Sequence, residues 1–126
     1  MTRQELEQGL YKYRAVCRHV VDGDTLDLDI DMGLFIQRHE RIRLYGINAP
    51  EIKGASKIEG LKATDFVKSM VCGTPVAPAP LWVETFLDKS EKYGRLLAKV
   101  WYEDKGTMVC LNDELCRQKL AEPRSY

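Results

Sequence analysis

The pattern of hydrophobic and polar residues predicts three strands in the first part of the chain. Residues 25–31 alternate strictly: Leu26, Leu28 and Ile30 face one way, and Asp27, Asp29 and Asp31 face the other. This period of two is typical of a half-buried antiparallel strand. Residues 11–21 and 39–47 are rich in β-branched, aromatic or alternating residues and predict strands on either side. The turn Asp22-Gly23-Asp24 joins the first two strands.

The second part of the chain predicts two helices and two further strands. Ser56 and Glu59 have the spacing of a capping box, and an apolar stripe follows at helical spacing, so we expect a helix that ends near Gly73. Its apolar stripe consists of Ala63, Phe66, Val67 and Met70. Residues 81–86 and 96–102 predict strands, joined by a polar connection over residues 87–95. Asn112 is predicted to cap a short last helix.

This order of elements predicts a small α+β domain that is mostly antiparallel. Five short strands with a helix between the third and the fourth match a five-stranded OB-fold (Greek-key) β-barrel with two packed α-helices. We expect residues 11–122 to form this domain. A polar N-terminal segment (residues 1–10) precedes it, and a short C-terminal tail (residues 123–126) follows it.

Composition narrows the class of protein without naming a function. The chain has 126 residues, 44% hydrophobic and 30% charged, with 19 basic and 19 acidic side chains. It is therefore neither a disordered polyelectrolyte nor a membrane protein. A formal net charge of zero argues against a basic nucleic-acid binder, so any phosphate affinity must come from local placement.

The polar start and the cysteines favour an intracellular, cytoplasmic protein. The first eight residues have no hydrophobic segment of the kind a secretory signal needs. The four cysteines form no C-x-x-C pair, so we expect free, buried thiols rather than a zinc site.

Three segments carry polar residues that alternation does not explain: Val-Asp-Gly-Asp-Thr at 21–25, Arg-Leu-Tyr-Gly-Ile-Asn-Ala-Pro-Glu at 43–51, and Lys-Tyr-Gly-Arg at 92–95. Together they supply oxygen ligands, a carboxylate on a proline-stiffened loop and two arginines. Hard cations prefer oxygen ligands, a carboxylate can deprotonate water, and guanidinium groups match phosphate oxygens. This inventory suits metal-assisted attack on a phosphodiester.

Each segment also has an ordinary interpretation. An Asp-Gly-Asp sequence is more often a plain turn than a metal site. Arg43 could form an ion pair with an aspartate on the neighbouring strand, and Glu51 alone could be a solvated loop carboxylate. We interpret the aspartates at 27, 29 and 31 as a solvated face and assign no role to His19 or His39.

In their combination and order, the three segments resemble the staphylococcal nuclease-like (thermonuclease) family. A last segment, residues 116–121 following Asn112, resembles the second helix of that family. The resemblance extends from about residue 11 to residue 121. It implies an OB-fold barrel with packed helices and calcium-dependent hydrolysis of DNA and RNA.

The resemblance also implies a role for individual residues. Asp24 matches the main carboxylate ligand of the metal, Asn48 stands where the family usually has a second aspartate, and Ala49 would offer its backbone carbonyl. Glu51 matches the general base and would reach the metal through water. Four residues match residues that bind the phosphates.

Arg43 and Arg95 match the residues at the attacked phosphate, and Lys92 and Tyr93 match those at a terminal phosphate. Because Asn48 brings no charge, we expect weaker calcium binding than in a two-aspartate relative.

Two functions from different classes remain open. In the first, the protein is a metal-dependent nuclease that uses Ca²⁺, or Mg²⁺ or another divalent ion, on single-stranded DNA or RNA, as a monomer and away from membranes. In the second, it is a catalytically weakened or silent module that binds nucleic acid or a protein ligand. The presence of Glu51 together with Arg43, Arg95 and Asp24 favours the nuclease.

Overall fold

The computed structural model describes residues 1–73, 77–90 and 96–124. The strands are β1 (Lys12–Asp22), β2 (Thr25–Asp31), β3 (Gln37–Leu44), β4 (Ile47–Asn48), β5 (Leu81–Ser90), β6 (Leu96–Asp104), β7 (Thr107–Cys110) and β8 (Glu122–Pro123). The helices are α1 (Arg3–Gln8), α2 (Lys57–Val71) and α3 (Leu111–Arg117), and a 3₁₀ turn at Gly54–Ser56 leads into α2.

Five strands close into a barrel. In the main sheet the order is β3-β2-β1-β5-β6-β7, and a parallel pairing between β3 and β6 joins its two sides. Ile42, Arg43 and Leu44 pair with Leu96, Leu97 and Ala98 across this seam. The other pairings are antiparallel, so the α+β prediction of a five-stranded OB-type barrel is confirmed.

A single hydrophobic core fills the barrel and the space beneath α2 and α3. Leu26, Leu28 and Ile42 line it from the strands, Val67 from α2 and Leu115 from α3, and all but Leu115 belong to elements predicted from alternation or helical spacing. Within the described residues, no helix has the length and apolar character needed to cross a membrane.

Several predicted boundaries shift. β2 has the predicted limits, but β5 continues to Ser90, into the segment predicted as a polar connection. The N-terminal segment contains the helix α1, which buries none of its residues. The predicted domain limit at residue 122 falls inside β8, which pairs with Ile47 and Asn48.

Two predicted helix caps are wrong in detail. α2 begins after Ser56 as predicted, but the Ser56 hydroxyl donates to the carbonyls of Glu51 (2.9 Å) and Lys53 (3.1 Å) instead of capping the helix. The same helix ends at Val71, with Cys72 in the C-cap position, close to the predicted end near Gly73.

Asn112 lies inside the first turn of α3 instead of preceding it, and Cys110 occupies the cap position. The side chain of Asn112 is only 1% exposed. The amide oxygen accepts from the N–H of Val100 (3.1 Å), and the amide nitrogen donates to the carbonyls of Tyr45 (2.8 Å) and Ala98 (3.2 Å). Asn112 therefore ties α3 to β6 and to the chain that follows β3.

We expect Asn112→Ala to lower the free energy of unfolding by about 2–4 kcal/mol, because it leaves buried backbone groups without partners. The measurement is urea denaturation followed by tryptophan fluorescence. Asp113→Ala, at an exposed position in the same turn, is the control and should cost less than about 1 kcal/mol. Equal losses in the two variants would contradict the role assigned to Asn112.

Candidate active site

Four predicted site residues of the first two segments meet at the β1–β2 turn: Asp24, Arg43, Asn48 and Ala49. Asp24 immediately precedes β2, and Arg43 lies near the end of β3. Asn48 ends β4, with Ala49 directly after it. Glu51 follows in the loop before the 3₁₀ turn.

Asp24 is a buried carboxylate, 7% exposed, held by three groups of the site. Its Oδ2 accepts from the N–H of Ala49 at 2.9 Å and lies 3.5 Å from the Arg43 guanidinium. Its Oδ1 accepts from the Thr25 hydroxyl at 3.1 Å. These contacts fix the orientation of the carboxylate without any ligand.

Arg43 is buried, 4% exposed, although strict alternation places it on the solvated face of its strand. The side chain is buried there because Asp24 and residues 47–48 lie against its guanidinium. The guanidinium donates to Asn48 Oδ1 (2.9 Å) and to the Ile47 carbonyl (3.3 Å).

The ion-pair alternative for Arg43 is thus realised within the site, since the aspartate it approaches is Asp24. The aspartates of the outer face have other partners. Asp27 accepts two hydrogen bonds from Arg41 (2.8 and 3.1 Å), and Asp29 contacts His39. That face is therefore a set of ion pairs rather than only solvated carboxylates.

Asp22 is a site residue that sequence reasoning missed. Its Oδ1 accepts from the N–H of Asp24 at 3.0 Å. Burial and the neighbouring Asp24 carboxyl together raise the pKa of Asp22 to about 6. The two aspartates of the Asp-Gly-Asp turn were the available signal, but turn chemistry alone accounts for that sequence.

Gly23 lets this turn pack closely against its neighbours. A Cβ at Gly23 would lie 2.7 Å from the Cβ of Ala63 in α2 and 2.9 Å from the Cβ of Ala49. Such distances are too short for any side chain. Only a glycine at position 23 therefore allows the turn to pack this closely against the Ala49 segment and α2.

Glu51 is exposed, and within the described residues its carboxylate makes no hydrogen bond or ion pair. Its backbone is held instead. The carbonyl accepts from Ser56, and a Cβ at Gly60 in α2 would lie 2.7 Å from the Glu51 carbonyl carbon. The loop thus presents a free carboxylate on a fixed backbone.

The oxygen donors of this arrangement suit a hard cation. Asp22, Asp24 and Asn48 offer carboxylate and amide oxygens, the donors that Ca²⁺ and Mg²⁺ prefer. The pKa of Asp22 is raised chiefly by burial and then by the neighbouring Asp24 carboxyl, and a cation placed between the two groups would favour their charged forms. Within the described residues, however, no group of three or more His, Cys, Asp or Glu side chains could hold a metal ion.

The remaining predicted contacts are less defined. Ala49 contacts Asp24 through its N–H, and the predicted metal contact of its carbonyl stays a prediction. Lys92, Tyr93 and Arg95 lie outside the described residues. A cleft of about 250 Å³ opens beside Asn48, with Ala49 and Pro50 on one side and residues 119–122 on the other.

Comparison with known proteins identifies the family. The family model described as "Staphylococcal nuclease homologue" matches residues 41–125. The chain belongs to the staphylococcal nuclease family. Arg43, Asn48 and Glu51 lie within the matched range, whereas Asp24 precedes it.

A thermonuclease of Staphylococcus intermedius is 31% identical over 112 residues, which cover 86% of this chain. The alignment covers 58% of that relative, so this nuclease homologue corresponds to little more than half of the relative's length.

We expect Gly60→Ala to destabilise this nuclease homologue by about 1–3 kcal/mol, because the new methyl group collides with the Glu51 backbone. Helix propensity alone predicts the opposite sign, a gain of about 1 kcal/mol. Urea denaturation decides between them. Gly9→Ala is the control, since a Cβ there meets its nearest atom at 3.6 Å. A stabilised Gly60→Ala protein would show that the contact with Glu51 does not constrain the loop.

Proposed function

We propose that this chain is a divalent-metal-dependent nuclease that hydrolyses phosphodiester bonds in single-stranded DNA or RNA. One observation carries the proposal: a buried guanidinium, Arg43, bridges Asp24 and Asn48, and an exposed carboxylate, Glu51, lies three residues beyond Asn48. A guanidinium and oxygen ligands thus lie together, and an exposed carboxylate follows shortly after them in the chain. Membership of the nuclease family supports the same reaction class.

Asp24 and Asn48 would hold the metal, with Asp22 beside them and the Ala49 carbonyl as a further oxygen donor. A bound Ca²⁺ ion would supply positive charge to neutralise the phosphodiester and to acidify water. Mg²⁺ could take the same oxygen ligands.

The side chains of the protein supply the remaining chemistry. Arg43 lies in a water-poor environment, where a guanidinium that meets the charge developing on phosphate oxygens contributes about 3 kcal/mol. Its donors point to Asp24, Asn48 and the Ile47 carbonyl, so a phosphate would have to compete for them. Arg95 would provide the second guanidinium, and Lys92 and Tyr93 would contact a terminal phosphate.

Glu51 would accept a proton from the attacking water. Its carboxylate is exposed, while Ser56 and Gly60 hold its backbone. A base on a fixed backbone loses little positional freedom when substrate binds, and positioning contributes to the rate along with basicity.

We expect Glu51→Gln to lower the rate of single-stranded DNA cleavage with added Ca²⁺ by on the order of 10²–10⁴-fold, since the amide cannot accept the proton. The measurement is the initial rate of cleavage of a labelled oligonucleotide with Ca²⁺, with Mg²⁺ and with a chelator. The matched oligoribonucleotide tests RNA in the same assay.

Glu103→Gln, an exposed position on the β6–β7 hairpin, is the control and should keep the full rate. Cleavage that survives the chelator, or that Glu51→Gln leaves unchanged, would overturn the mechanism. Binding of the oligonucleotide without cleavage under any of these ions would favour the silent binding module.

We expect Asn48→Asp to bind Ca²⁺ about tenfold more tightly, because affinity in such sites rises with the number of charged ligands. Isothermal titration calorimetry of the two proteins at equal ionic strength measures the change. The charge control is Gln118→Glu, at the exposed position directly after α3. Asn112→Asp would not serve, because that side chain is buried in the core. An unchanged or weaker affinity would place residue 48 outside the metal site.

A further inference from the structure

Two cysteine thiols meet where α2 packs against the barrel. Cys17 lies in β1, and Cys72 directly follows α2, yet their Sγ atoms are 3.8 Å apart. The two residues are 55 positions apart in sequence, so only the fold brings them together. Cys72 lies at the C-terminal end of α2, whereas Gly60, which contacts the Glu51 backbone, lies near the N-terminal end of the helix.

The two thiols differ in accessibility. Cys72 is exposed, contrary to the expectation of buried thiols, whereas Cys17 is half-buried. Burial, and then the neighbouring Cys72, raise the pKa of Cys17 to about 12, so this thiol is protonated at neutral pH. A reagent in solution therefore meets Cys72 first, with Cys17 directly behind it.

We propose that Cys17 and Cys72 form a reversible modification site, which closes to an intramolecular disulfide by exchange with a low-molecular-weight disulfide such as oxidised glutathione. The sulfur atoms need to approach by about 1.7 Å to reach the bond length of a disulfide. Side-chain rotation at the exposed Cys72 can supply this movement. The inference does not rest on the proposed nuclease activity.

The exchange takes place in two steps that balance. The Cys72 thiolate attacks one sulfur of the oxidant, breaks its S–S bond, forms a mixed disulfide and releases one thiolate. Cys17 then loses its proton and attacks the Cys72 sulfur, which releases the second thiol. The two protein thiols lose two electrons and two protons, and the oxidant is reduced to two thiols.

The bond would join β1 to the end of α2 that lies far from the site. A crosslink across a loop of this length restricts the unfolded chain strongly. Because α2 also contacts the β1–β2 turn at Gly23 and the Glu51 backbone at Gly60, the disulfide would fasten the helix that supports both segments. We expect the oxidised protein to melt about 5–15 °C above the reduced protein.

The test is incubation of the folded, reduced protein with oxidised glutathione, followed by thiol titration, peptide mapping and thermal melting. We expect two of the four thiols to disappear, one peptide pair that links Cys17 to Cys72, and a raised melting temperature that dithiothreitol reverses. Cys72→Ser should abolish all three changes, and its exposed position makes it the variant least disturbing to the fold.

Cys116→Ser is the matched control, since it removes a half-buried thiol elsewhere and should leave the link and the melting shift intact. The proposal is overturned if all four thiols persist, if glutathione stays attached to Cys72 without closure, or if mapping finds a different pair. It is also overturned if the link forms but the melting temperature does not rise.

Discussion

A buried guanidinium sets the constraint on which the rest of this structure depends. Arginine cannot lose its charge in a protein, so a barrel that encloses Arg43 must surround it with acceptors. The acceptors are the Asp24 carboxylate, the Asn48 amide and the Ile47 carbonyl, and they come from different strand ends. Satisfying one charge thus fixes the start of β2, the end of β3 and the whole of β4 relative to one another. The same residues form the candidate active site, so the contacts that stabilise the barrel seam also set the geometry of the site.

The surrounding structure holds these segments by close contact rather than by further charges. Gly23 admits Ala49 and Ala63 at distances that exclude a side chain, and Gly60 does the same for the Glu51 backbone. Asn112 holds the chain just after β3 by a hydrogen bond to the Tyr45 carbonyl. Pinning the backbone in this way leaves the Glu51 carboxylate free, which a proton acceptor requires.

The sequence predicts the parts of this fold that depend on local pattern and misses those that depend on closure. The limits of β2 follow from its alternation, and the helix α2 follows from its apolar stripe. Alternation places Arg43 on the same face as Arg41, and it cannot detect that Asp24 and residues 47–48 lie against the Arg43 guanidinium in the fold. Asn112 looked like a cap because a buried amide and a capping amide have the same local sequence. The meeting of Cys17 with Cys72 is equally invisible before the fold is known. For the candidate site, the motifs of the first two segments locate the residues, but only the structure adds Asp22 and the burial of Asp24.

Local charge, not the neutral total, decides what this site can bind. On the outer face, Asp27 is paired with Arg41, and Asp29 lies 3.4 Å from the Arg18 guanidinium, so these charges largely cancel where they stand. At the β1–β2 turn, the carboxyl groups of Asp22 and Asp24 lie beside the guanidinium of Arg43, and Asp22, with a pKa of about 6, is mostly ionised at neutral pH. A phosphodiester would be repelled by that arrangement without a cation. In the proposed function, the two positive charges of a divalent ion would reverse the sign at the position where Arg43 is already held. The acidic turn, which opposes a nucleic-acid substrate on its own, would then be the part of the site that couples substrate binding to the ion.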